Sequence, residues 1–256
     1  MDDINTTPMG KKVFFLHPSV FVQNTVIEPL ILMEFEVYLI KDETKILKLL
    51  KKYPDSLVFA SINEALDPQQ WEAWMRQVKN TPALKEVSIG VISNTNNDNV
   101  RKLYLDIFKV DCGFIPVKQD KDRVIKIMAD VLNAAEAKGR RKYVRTSTRG
   151  ESKTTINLPV GDGYCTGDIY DISIVGLSCV FNDDITLQNK TVIHDIQIRL
   201  QGSLLKVDGI LYGSRIEERR NVYVILFSPK TDFSIKSKIR MFIQKRLQSA
   251  IDEEMQ

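Results

Sequence analysis

The sequence predicts an α/β domain followed by an all-β domain. The first is a doubly wound five-stranded parallel sheet; the second is a six-stranded antiparallel β-barrel with a C-terminal helix. Three observations predict this. Short apolar runs alternate with helical-period stretches up to about residue 138. Beyond Arg145 the helical period gives way to short β-forming segments separated by turn residues. At 256 residues with 43% hydrophobic side chains, the chain can also build two cores. The expected boundaries are a mobile leader over 1–10, the α/β domain over 11–138, a basic linker over 139–150, and the barrel with its helix over 151–256.

In chain order, Val13-Phe14-Phe15-Leu16 suits a buried parallel strand. A helix follows through Val26, Leu30, Ile31 and Met33, then a strand over Glu36-Val37-Tyr38-Leu39-Ile40. Asp42 can cap a helix carrying Ile46, Leu49 and Leu50, which must stop before Pro54. Ser56 to Ala60 is the third strand. Asp67-Pro68-Gln69-Gln70 is a helix start, with cap, proline at the first helical position and capping glutamine. Trp71, Trp74, Met75 and Val78 then line one helical face, a core stripe. Val87 to Ile92 is strand four, and Val100, Leu103, Tyr104, Ile107 and Phe108 mark helix four. Cys112 to Val117 is strand five, and helix five runs from about Asp120 and fades at Gly139.

The six barrel strands are expected at Lys153–Leu158, Gly163–Ile172, Gly176–Phe181, Val192–Leu200, Leu204–Tyr212 and Asn221–Phe227. Asp183-Asp184 reads as a turn and Glu217-Glu218-Arg219-Arg220 as a charged hairpin tip. The last helix, about Ile235 to Ile251, aligns Ile235, Ile239, Phe242 and Leu247 to cap the barrel.

Composition narrows the function. With 36 basic and 33 acidic residues, the net charge of +3 is too small for bulk nucleic-acid binding. No apolar run is long enough to span a bilayer. The acidic start lacks the features of a signal peptide, so a cytoplasmic protein is expected. Cys112, Cys165 and Cys179 lack CxxC or framework spacing and read as small buried hydrophobes. His17 and His194 carry neither metal-ligand nor nucleophile spacing, so no metal, no cofactor and no enzyme activity is expected.

Two motifs remain. Lys138 to Arg149 holds six cationic side chains and no acidic one, within Arg140-Arg141-Lys142-Tyr143-Val144-Arg145. Guanidinium groups grip phosphate bidentately and pair with guanine O6 and N7 or stack on its face. Asp171-Ile172-Ser173-Ile174-Val175-Gly176 follows at a strand corner. There Asp171 can accept guanine N–H groups, Ser173 can add a hydroxyl, and Gly176 can leave room for the base. As plain structure the first motif is a solvated linker, and the second is a turn.

Residues 11 to 138 resemble the receiver domain of bacterial response regulators in element order. That family needs acidic residues after strand one and a phosphoacceptor aspartate ending strand three. This chain has His17-Pro18 and Ser61 there, while Ser93 and Lys118 do match. The resemblance therefore implies a degenerate receiver without phosphoryl chemistry. Residues 139 to 250 resemble the PilZ family of bacterial cyclic di-GMP receptors, whose signature is RxxxR followed by (D/N)xSxxG. Arg141 and Arg145 match the first half and Asp171, Ser173 and Gly176 the second; Arg140 is the extra preceding arginine of many members.

That resemblance implies a non-enzymatic cyclic di-GMP effector whose ligand is held by Arg140, Arg141, Arg145, Asp171, Ser173 and Gly176. Without ligand, residues 140 to 149 are expected to be loose and self-repelling. Binding would reset the geometry between the domains and the surface offered to a downstream protein partner, with motility, virulence or biofilm-type outputs. The alternatives are a ligand-independent interaction adaptor and a nucleic-acid binder using the basic linker. The small net charge argues against the latter.

Overall fold

The computed structural model describes residues 10–183, 185 and 187–256. The expected leader, apart from Gly10, and Asp184 of the expected turn lie outside the described residues. The chain divides into two compact units, one of residues 1–142 with 248–256 and one of residues 143–247.

The first unit is the expected parallel sheet. Its strands are β1 (Val13–Leu16), β2 (Val37–Ile40), β3 (Leu57–Ser61), β4 (Ser88–Ser93) and β5 (Phe114–Pro116), in the order β2-β1-β3-β4-β5. Every pairing is parallel, with Val13 opposite both Val37 and Leu57. β1 and β3 are buried along their whole length, as strands covered on both faces must be.

Four main helical stretches connect these strands, and a fifth follows β5. α1 runs through Val20–Val22, Gln23–Ile27 and Glu28–Leu32, with its middle five residues wound as π-helix. α2 spans Ile46–Lys52, and the Asp42 carboxylate accepts from Thr44 and Lys45 N–H in the turn before it. α3 (Pro68–Asn80) starts in the expected box: Asp67 accepts from Gln70 N–H while the Gln70 side chain accepts from Asp67 N–H. It buries Trp71, Trp74, Met75 and Val78. α4 joins Asp98–Lys102 to Leu103–Ile107.

α5 (Lys121–Ala134) ends five residues before Gly139, because Glu136 already adopts the left-handed conformation. Residues 248–256 count with this unit. There the Gln248 amide donates to the Leu39 carbonyl and accepts its N–H, both at 2.9 Å, on edge strand β2.

The second unit is an antiparallel barrel. Its strands are β7 (Thr154–Val160), β8 (Gly163–Ser173), β9 (Gly176–Phe181), β10 (Val192–Leu200), β11 (Ser203–Glu217) and β12 (Arg220–Phe227). They run β8-β7-β10-β11-β12-β9, and pairing of β9 with β8 closes the ring. Closure removes the exposed edges an open sheet would carry. β11 reaches Glu217, well past the expected Tyr212, because its hairpin with β12 pairs out to Glu217 and Arg220. Glu218 and Arg219 form the tip, both at positive φ.

The core is filled by the inward-facing residues of the strands, among them Ile156, Ile172, Leu177, Ile198 and Ile225. Helix α6 (Phe233–Glu254) adds Ile239, Phe242 and Ile243, with Ile235 and Leu247 packed at its margin. A short strand, β6 (Arg145–Ser147), lies outside the ring on β8.

Candidate functional site

β6 builds the site. Residues 145–147 belong to the run expected to be loose, yet they pair antiparallel with β8: Arg145 opposite Ser173, Thr146 opposite Ile172, Ser147 opposite Asp171. Pairing continues to Thr148, whose N–H donates to the Tyr170 carbonyl at 3.0 Å. The reason is generic. A strand ladder is made by backbone groups, so a cationic sequence forms one where its neighbour offers free partners. Thr146 turns inward and is buried, which leaves Arg145 and Ser147 facing out.

The aspartate-serine spacing of two places Asp171 and Ser173 on that same outer face. Arg145, one position diagonal to Asp171, reaches it with Nη1 at 3.8 Å from Oδ1. The other carboxylate oxygen, Oδ2, accepts from the Ser178 hydroxyl, directly across on β9. Asp171 is thus pinned on one side and exposed on the other: its side chain is 31% accessible and that of Arg145 is 48%. A carboxylate with a fixed orientation and unused lone pairs can accept N–H donors from a planar heterocycle, while the guanidinium beside it can hold an anion.

The other motif residues have different surroundings. Ser173 is 5% exposed, and its hydroxyl donates to the Gly176 carbonyl at 3.1 Å and accepts from Val175 N–H at 3.4 Å. It closes the β8–β9 corner. Gly176 is buried at ordinary φ, and a side chain there would strike the Ile225 carbonyl and lie 3.1 Å from the Leu226 Cα. The glycine is required by close approach of β9 to β12. Arg140 and Arg141 count with the first unit. Arg140 is exposed and borders an open cleft of about 620 Å³ lined by Lys11, Asp55, Asn133, Glu136 and Lys138, whereas Arg141 is half-buried.

Sequence reasoning missed Ser178, two residues past Gly176, because a serine inside a strand carries no signal until its cross-strand partner is known. It also passed over Arg149, whose guanidinium carbon lies 4.1 Å over the Tyr170 ring and whose Nη2 donates to Glu217. The spacing of Arg141, Arg145 and Arg149, four apart, was the available hint.

In the first unit, the strand ends where a receiver keeps its acidic cluster carry other groups. His17 adopts positive φ and pairs with Glu43 at 2.9 Å. Ser61 is 3% exposed, and among the described residues its hydroxyl has no hydrogen-bond partner. Asn63 accepts from the Ser93 hydroxyl at 2.9 Å and from Asn94 N–H at 2.7 Å. Among the described residues no cluster of three or more His, Cys, Asp or Glu could hold a metal, and no helix is long and apolar enough to cross a membrane. Burial pushes the Cys112 thiol up to about 11 and raises that of Cys179 further.

No protein-family model and no curated protein matches the chain. Solved structures do. The PilZ domain with c-di-GMP of YcgR from Escherichia coli is 16% identical over 44% of this chain and 96% of that one, with a TM-score of 0.38. YcgR in complex with c-di-GMP, from the same organism, is 16% identical over 44% of this chain, with a TM-score of 0.39. The match spans about half of that protein, 49%. The chemotaxis response regulator CheY4 of Vibrio cholerae is 15% identical over 48% of this chain and 99% of that one, with a TM-score of 0.40. The structures it resembles thus include PilZ domains and receivers.

Proposed function

We propose that the chain is a cyclic di-GMP receptor without enzymatic activity, and that its barrel takes the ligand on the outer face of β6, β8 and β9. One observation carries this reading: Arg145 and Asp171, from two separate sequence motifs, meet on one exposed face, with Ser178 fixing the carboxylate. Arg145 serves a phosphate or the Hoogsteen edge of a guanine, and Asp171 accepts the N–H groups of the base. Arg140 and Arg141 are the further cations of this reading. Ser173 and Gly176 shape the corner rather than touch the ligand. The first unit, with serine in place of the phosphoacceptor, takes no phosphoryl group.

Titration calorimetry with cyclic di-GMP tests the reading. The wild-type chain is expected to bind at micromolar affinity or better, and Arg141→Ala and Arg145→Ala to lose most of it. Unchanged affinity in both variants would rule the site out. As part of the same proposal, ligand resets the relation between the two units and with it a downstream protein's access, in an intracellular signalling role. Small-angle scattering with and without ligand checks this step, and identical profiles would count against it.

A further inference from the structure

The register of β8 against β9 shifts between Ile169 and Asp171. Ile169 and Ile172 both point into the core, so the two residues between them, Tyr170 and Asp171, both lie on the outer side. A β-bulge re-aims side chains in this way and is common beside functional sites. Here it sets an aromatic ring next to the carboxylate proposed to read guanine.

The ring is already covered. The Arg149 guanidinium carbon sits 4.1 Å over its centroid, and Glu217 accepts from Nη2 at one edge. Glu217 is itself held by Arg215 Nη2 at 3.1 Å. The Arg149 side chain remains 41% exposed. Beside it opens a cleft of about 510 Å³ whose lining includes Thr148, Asp168, Tyr170, Glu218 and Arg220. That volume lies within the roughly 300–1,000 Å³ of small-ligand sites.

We propose that Arg149, seated on Tyr170 and braced by Glu217, is a second base-recognition element: a pre-set flat surface on which a guanine of the cyclic dinucleotide stacks. The inference rests on the cyclic di-GMP reading above and extends it to a second base. Arginine guanidinium groups stack on π-systems with both faces, so a ring–guanidinium–purine sandwich needs no displacement of the existing pair. Because Tyr170 and Glu217 already hold the side chain, little rotamer entropy is lost when the base arrives. Asp168 and Glu218, lining the same cleft, offer carboxylate acceptors for guanine N–H groups. A plain surface ion pair would need neither the ring nor the cleft.

Calorimetry on the full chain separates the cases, using cyclic di-GMP as probe. Arg149→Lys keeps the charge and a partner for Glu217 but removes the flat face; Tyr170→Leu removes the ring. Both are expected to weaken binding about tenfold, the size of one lost base stack. Arg149→Lys is exposed and keeps the fold, which a melting curve verifies, so the test survives any folding defect in Tyr170→Leu. Wild-type binding that Arg145→Ala abolishes and Arg149→Lys leaves unchanged would overturn this proposal alone. Absence of binding by the wild-type chain would overturn it together with the reading it rests on.

Discussion

Polar groups gather at a sheet in both units, at the strand ends of the parallel sheet and on the outer face of β6, β8 and β9. In the first, His17 is spent on Glu43, Ser93 on Asn63, and Ser61 is buried with no partner among the described residues. In the second, Ser178 is spent on Asp171, but the carboxylate it holds is open to solvent beside an open guanidinium. Both regions are hydrogen-bonded, and Glu43 is as accessible as Asp171, 33% against 31%; of the two carboxylates it is Asp171 that stands beside an accessible cation, Arg145 being 48% exposed and His17 12%. Binding capacity follows from which exposed groups the internal network leaves side by side, so a count of polar side chains would rank the two sites alike.

The largest expected effect breaks this contrast directly. Asp171→Ala removes the acceptor and releases both Arg145 and Ser178, and cyclic di-GMP affinity should fall about 100-fold, near 2.7 kcal/mol. Glu43→Ala removes the equivalent carboxylate from the first unit and should leave affinity unchanged. Equal losses in a calorimetric comparison would show that the two carboxylates do not differ in their bearing on the ligand. Next comes Gly176→Ala. The added methyl meets the Ile225 carbonyl across β9 and β12, so barrel stability should drop by about 1–3 kcal/mol, read as a lower urea midpoint. A midpoint equal to wild type would show that β9 can shift, and that the glycine answers to the ligand after all.

Both folds were legible from periodicity, but unequally. Trp71, Trp74, Met75 and Val78 announced their helix because four large apolar residues at helical spacing have few other uses. β6 was hidden, since nothing in Arg145-Thr146-Ser147 alternates in hydrophobicity except the single threonine that turns inward. Its strand state comes from the backbone of β8, which no local pattern reports. At the site, the sequence put forward Arg145 and Asp171 as candidates, but that they meet on one face was not legible. The structural parts of Ser173 and Gly176 were not legible either, because a serine that closes a corner and a glycine that admits a neighbouring strand look the same in sequence as groups that contact a ligand. The bulge at Tyr170 was invisible for a related reason: a register shift belongs to two strands at once.

A smaller effect sharpens the barrel side. Ser178→Ala deletes the donor to Asp171 Oδ2 and lets the carboxylate rotate. Affinity should weaken about fivefold, one hydrogen bond's worth near 1 kcal/mol. Ser178→Thr, which keeps the hydroxyl, should recover most of the loss, whereas failure of threonine to rescue would point to packing at the β8–β9 pair instead.

The smallest effect tests the parallel-sheet side and has the opposite sign. A buried hydroxyl without a partner costs free energy, whereas one that donates to a good acceptor returns it. Ser61→Ala removes an unsatisfied group and leaves only a small void, so the two contributions nearly cancel and stability should stay level or rise by up to about 1 kcal/mol. Ser93→Ala, by contrast, deprives Asn63 of its 2.9 Å donor and should cost about 1 kcal/mol. The pair shares a sheet, a size change and near-complete burial, so the difference between their urea unfolding free energies isolates hydrogen-bond satisfaction. If Ser61→Ala proves as costly as Ser93→Ala, the Ser61 hydroxyl must be serving a bonded partner, and the strand ends of the parallel sheet would have to be counted as a site after all.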